Sequence, residues 1–223
     1  MTKKQETEVA TSTWPGAFNA FEKAFNAVIS NPQPAALFLV VYMVLAIISS
    51  NDKDPVMLTS LAQFIFLLAV VLYSLALADG KQLTIKSFMR VDVKKYIFLL
   101  LTGILSMLIV GVSLLLFIVP VVWALAWIFC SGYLVVDKGL SPVDAIKESK
   151  RLAQNHKGKV WGLIGVTFLA GVAIGIIGAI PYGGYLATFA MGVLTLVCSV
   201  AGAMLYRWLQ KNDSAAATKP TEA

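Results

Sequence analysis

Few residues in this chain have types and spacings that could do chemistry, and each has a plainer explanation. The only histidine, His156, stands in Gln154-Asn155-His156-Lys157. As a general acid or base it would need a carboxylate to orient it, and none lies close in sequence. Neighbouring lysines and water account for it. The two cysteines, Cys130 and Cys198, have neither metal-ligand nor CxxC spacing. Both fall in apolar runs, where a thiol serves as a small packing group. Gln63, with Thr59, Ser60 and Ser74, is the most polar side chain within an apolar run. Such groups line a solute path or, more commonly, bond neighbouring helices. The chain has no phosphate-binding glycine loop, HExxH pair, nucleophile elbow or paired-carboxylate motif. No catalytic residue, cofactor site or metal ligand follows, and the expectation is a non-enzymatic protein.

The elements around these residues belong to a membrane. Apolar residues make up 58% of the chain and charged residues 13%, about half the usual quarter. From Tyr96 to Val136 there is no Asp, Glu, Lys, Arg or His, and the same holds from Val160 to Tyr206. One crossing needs about 20 apolar residues, so each stretch accommodates two. The expected fold is all-α and polytopic, with six transmembrane helices over residues 34–50, 55–78, 96–116, 119–136, 160–180 and 185–206. Pro120 marks the turn between spans three and four, and Pro181-Tyr182-Gly183-Gly184 the turn between five and six. Residues 1–13 form a polar N-terminal tail, 14–209 the membrane domain, and 210–223 a disordered, low-complexity tail. The first long apolar run begins near Pro34, too late for a cleaved secretory signal.

Orientation follows from the cations, because cytoplasmic loops retain excess Lys and Arg. Lys3, Lys4 and Lys23 precede span one, and Lys81, Lys86, Arg90, Lys94 and Lys95 join spans two and three. Lys138, Lys147, Lys150, Arg151, Lys157 and Lys159 join four and five, while Arg207, Lys211 and Lys219 follow six. Only Lys53 remains for the opposite face. Both termini are therefore expected in the cytoplasm.

The cytoplasmic segments have helical periodicity of their own. Phe18, Phe21, Phe25, Val28 and Ile29 predict an amphipathic helix with a phenylalanine face, preceded by the interfacial residue Trp14. Ser141-Pro142-Val143-Asp144 opens a second: a capping serine, a proline at the first helical position and an acid at the positive helix end. Its apolar side is expected to be Val143, Ile146, Leu152 and Ala153, with Lys147, Lys150 and Arg151 facing water and Glu148 pairing with Arg151. Leu83 to Lys95 is a weaker third. An interfacial helix followed by two spans, three times over, is either a triplication or a common hairpin design reused. Lys147, Lys150, Arg151, Lys157 and Lys159 are candidate contacts for anionic lipid. Gly171-xxx-Gly175 in span five permits close helix approach, within one subunit or in a homo-oligomer, or against a membrane-protein partner. Topology and lipid account for the basic loops without nucleic acid.

One stretch, Gly132-Tyr133-Leu134-Val135-Val136-Asp137-Lys138-Gly139-Leu140-Ser141-Pro142-Val143-Asp144-Ala145-Ile146-Lys147-Glu148-Ser149, resembles a recurrent prokaryotic pattern. It is similar to the six-span membrane domain of some glycerophosphodiester phosphodiesterases and of its stand-alone relatives. The resemblance implies a bacterial or archaeal plasma-membrane protein. It supplies no catalysis, because in that family the phosphodiesterase is a separate soluble domain, and no site residue carries over.

Overall fold

A computed structural model describes residues 14–49, 56–81, 93–116, 118–180 and 183–217. All regular structure among them is helical: α1 (Ala17–Ser30), α2 (Pro32–Ser49), α3 (Val56–Ala78), α4 (Val93–Leu116), α5 (Ile118–Ile128), α6 (Ser131–Lys138), α7 (Pro142–Asn155), α8 (Lys157–Gly178) and α9 (Gly183–Ala217). Four of these helices are long and apolar enough to cross a membrane: Pro32–Ser49, Lys94–Leu115, Lys157–Gly178 and Gly183–Asp213. Helix α3 is 23 residues long and includes the apolar stretch Ile65–Ala78.

Local chemistry explains the helix boundaries. Pro32 and Pro34 sit in the first turn of α2, where a missing N–H costs nothing. Gly80 and Gly139 take left-handed φ values of 68° and 64° and end α3 and α6. The Gly139 N–H closes onto the Val135 carbonyl at 2.9 Å. Ser141 caps α7, accepting from the Asp144 N–H at 3.3 Å, as its sequence predicts.

Long-range contacts fold these helices into antiparallel hairpins. Gln63 Nε2 donates to Ser49 Oγ at 3.1 Å, tying the end of α2 to α3. Lys95 Nζ, in the first turn of α4, donates to the Val136 carbonyl near the end of α6 at 2.9 Å. The chain therefore turns back between α4 and α6. Pro120, expected at the turn, occupies the first turn of α5. A Cβ added at Gly178 would lie 3.1 Å from Ala187 Cβ, so α8 and α9 touch where they meet. Helix α9 is the hub, packing on α1, α2, α3 and α8. Val200, Ala201, Ala203, Leu205, Tyr206 and Leu209 are fully buried along it. At the other end of the bundle Leu114, Leu115, Ile176, Tyr185 and Leu186 stand exposed.

Several expectations are corrected. The stretch assigned to span four is two helices, α5 and α6, separated at Phe129 and Cys130. The freed Cys130 N–H donates to Ser149 Oγ of α7 at 3.0 Å, which is why the break is tolerated. Residues 210–217, expected as tail, continue α9, anchored because Asp213 accepts from Arg151. The bundle side of α7 is Ala145, Ser149, Leu152 and Ala153, while Val143 is exposed. In α1, where no bundle side was expected, the buried residues are Ala20, Ala24 and Val28, and Phe18, Phe25 and Ile29 of the expected apolar face are exposed. Of the weaker amphipathic candidate, residues 82–92 lie outside the described residues, as do 50–55, 218–223 and the N-terminal tail.

Candidate functional site

The polar chemistry of the described residues collects at one end of the bundle. The C-terminal ends of α3 and α6, all of α7, the start of α8 and the last turns of α9 converge there. Arg207 of α9 is its centre. Its Nε and Nη2 donate to the two carboxylate oxygens of Asp79 at 2.7 and 2.8 Å. Its Nη1 donates to Asp137 Oδ2 at 2.7 Å. The Tyr206 hydroxyl donates to that same oxygen at 2.8 Å, and Gln210 Nε2 reaches it at 3.4 Å. Burial raises the Asp137 pKa, but the Arg207 and Tyr206 hydrogen bonds outweigh it and hold the carboxyl below its ordinary value.

Arg151 of α7 makes a second clamp. Its Nε and Nη2 take both Glu148 oxygens at 2.8 Å, and its Nη1 donates to Asp213 Oδ1 at 3.0 Å. Hydrogen bonds from Arg151 hold the Glu148 carboxyl below its usual range. The predicted pair on α7 is thus present, extended by a carboxylate from α9 that local sequence could not reveal. Each arginine crosslinks helices distant in sequence, so the end of the bundle is stapled from α3 through α9 to α7.

Three lysines at this end lie on tryptophan faces. Lys159 Nζ sits 3.8 Å from the Trp208 ring centre, Lys150 Nζ 4.2 Å from that of Trp127, and Lys157 Nζ 5.6 Å from that of Trp123. Trp14 meets Trp208 edge-on at 5.9 Å, and His156 meets the same ring at 5.1 Å. Burial, then the nearby Lys159 charge, lower the His156 pKa and favour the neutral ring, Asp213 opposing only partly. Of the five candidate lipid contacts, Lys147 is exposed, three lysines lie over tryptophans, and Arg151 is held by carboxylates. Lysine on tryptophan at a bundle end is the composition of a membrane interface.

Helix α1 lies against this end and has three faces. Ala20, Ala24 and Val28 pack inward, and a Cβ on Gly162 of α8 would meet Ala17 Cβ at 3.8 Å. Phe18, Phe25 and Ile29 form an exposed apolar stripe. Asn19, Lys23, Asn26 and Ser30 make an exposed polar one.

Within the bundle, a cleft of about 410 Å³ lies among α3, α4, the α5–α6 break and α9. Leu67, Val71, Leu99, Ile128 and Phe129 supply its apolar wall. Of its five hydroxyl groups three are engaged locally: Thr102 donates to Phe98 O at 2.7 Å, Ser131 to Ile128 O at 2.6 Å and Tyr133 to Ser199 O at 2.8 Å; Ser106 and Ser199 supply the other two. Gly171 and Gly175 are not tight contacts, since a Cβ at either meets no atom within 4 Å. Tight positions between helices include Gly202, against the Tyr133 hydroxyl, and Gly192, against the Tyr42 ring. Among the described residues, no three His, Cys, Asp or Glu side chains are gathered to hold a metal. Compared with known proteins, the chain matches no family model, no curated protein and no solved structure.

Proposed function

We propose that this is a non-enzymatic, six-span protein of a bacterial or archaeal plasma membrane that organises anionic lipid at the inner leaflet. The observation that carries the proposal is α1: alanines against the bundle, phenylalanines outward and Asn and Lys between them. A helix with those three faces suits a site where protein, hydrocarbon and water meet. It lies beside a cluster of lysines on tryptophans, and each basic residue near an anionic surface contributes up to about 1 kcal/mol. Both termini and all the basic segments then belong to the cytoplasmic side, with spans two and four crossing as α3 and as α5–α6. The repeated unit of interfacial helix and hairpin is best represented by α1–α3 and α7–α9.

The test is energy transfer in reconstituted vesicles, from the tryptophans of the polar end to dansyl-labelled lipid. Transfer should be stronger to phosphatidylglycerol than to phosphatidylcholine. The difference should shrink as salt rises and with Lys147→Gln, Lys157→Gln and Phe18→Ser combined. Equal transfer to both lipids would overturn the proposal.

A second reading, a passive solute path, is favoured by one observation: an interrupted helix beside a cleft, an arrangement transporters use at binding sites. Against it, three hydroxyls of the cleft are bonded within the protein, leaving a largely apolar wall.

A further inference from the structure

The cleft beside the α5–α6 break has a depth, a lining and a rim that point to one kind of occupant. Depth follows from counting residues along each wall from the polar end. Leu99 to Ser106 lie four to eleven residues beyond Lys95, Leu67 and Val71 eight to twelve from Asp79, and Ser199 eight from Arg207. At 1.5 Å per residue the cleft occupies roughly 6–18 Å from the charged end. Half the hydrocarbon core is about 15 Å. The cleft therefore spans one leaflet's depth, on the side where the cations gather.

Its volume of about 410 Å³ is that of a small-ligand site. The α4 wall adjoins a face made of Leu100, Leu101, Ile104, Met107 and Leu108, all exposed, so the cleft borders hydrocarbon. At the head of the same helix, Lys94 and Lys95 sit at the charged level, with Lys138 across from them at the end of α6. A water-filled pocket would need several polar partners per water molecule. Here the Thr102, Ser131 and Tyr133 hydroxyls are already engaged within the protein, which leaves Ser106 and Ser199 as the other lining hydroxyls in a wall that is otherwise largely apolar.

We infer that the cleft holds one acyl chain of an anionic phospholipid, its headgroup phosphate at the level of Lys94, Lys95 and Lys138. The inference rests on the membrane orientation above and deepens it, replacing a general surface attraction by a defined site. The broken helix has a role in this: Ile128, Phe129, Ser131, Gly132 and Tyr133 line the cleft on both sides of the interruption.

The full-length protein is reconstituted in nanodiscs with trace phosphatidylglycerol carrying a diazirine halfway along one acyl chain. After irradiation, adducts are mapped by mass spectrometry. They should be several-fold denser over Ile128–Tyr133 than over the outward residues Phe168 to Ile176 of α8. Ser106→Trp, which fills the cleft, should remove them, while Met107→Trp, placing the same ring on the exposed face, should not. Gly103→Leu is the second filling variant should Ser106→Trp lower thermal stability. A phosphatidylcholine probe should label several-fold more weakly, and equal labelling would overturn the headgroup assignment. Adducts no denser than on α8, or indifferent to both filling variants, would overturn the site. Phe18→Ser should leave these adducts unchanged while weakening the lipid preference measured by energy transfer, so the two proposals can fail separately.

Discussion

Replacing Arg207 by methionine tests the staple at the polar end. Arg207 is the sole bridge described between Asp79, just past α3, and Asp137 of α6, donating two bonds to the first and one to the second. Methionine leaves two carboxylates facing a largely enclosed site. Stranding a fully buried charge costs about 3–5 kcal/mol. These side chains keep 25% (Arg207), 26% (Asp79) and 23% (Asp137) of their exposure, so solvent recovers part of that. A loss of about 2–3 kcal/mol is expected. At about 2–4 °C per kcal/mol for a chain of this size, melting should fall by about 4–12 °C. The native thiols provide the assay, because Cys130 is fully buried and Cys198 partly so. A thiol-reactive dye in mild detergent reports the bundle opening. Asp137→Asn keeps the Tyr206 and Gln210 neighbours, so the double variant should depart from additivity by more than about 0.5 kcal/mol. An unchanged melting temperature, or strict additivity, would refute the staple.

The remaining expectations use the same assay. Ser149→Ala should cost about 1–3 kcal/mol by orphaning the buried Cys130 N–H, and a loss below that of an exposed serine would mean that water replaces it. Gly202→Val should cost about 1–3 kcal/mol, because even a Cβ there stands 2.6 Å from the Tyr133 hydroxyl. Gly171→Leu, with nothing within 4 Å, should change stability by less than about 0.5 kcal/mol; the reverse order would mean α8 packs against another helix. Glu148 and Asp137 have depressed folded pKa values, so their stabilisation is full above the ordinary carboxylate range and lost as pH falls through the folded values. His156, whose folded pKa is also depressed, adds a shallow loss of melting temperature as pH falls below the ordinary histidine range; the carboxylates add a steeper drop below about pH 4, and Arg207→Met should flatten that steeper drop.

What the sequence made legible was local. Apolar runs, the Ser141 cap with Pro142 and the Glu148–Arg151 pair are encoded within a few residues, and each corresponds to a feature of the fold. The faces of α1 and α7 were harder, because apolar residues occur on more than one side of each. Periodicity marks an apolar stripe without saying whether protein or lipid covers it, and in α1 the bundle takes the alanines. The interruption at Cys130 is not legible in the sequence because its compensation, Ser149, comes from another helix. The arginine clamps were invisible for the same reason: Asp79, Asp137 and Arg207 meet only after hairpins bring three separate segments to one end.

Orientation is the claim on which the rest depends, and single-cysteine labelling in intact cells tests it most directly. In a background lacking Cys130 and Cys198, one cysteine replaces Ser50 and another replaces Gln154, which is exposed where Ser149 is buried. A membrane-impermeant maleimide should label Ser50→Cys in intact cells and Gln154→Cys only after permeabilisation. Labelling of Gln154→Cys from outside would put the charged end on the wrong face and contradict the account.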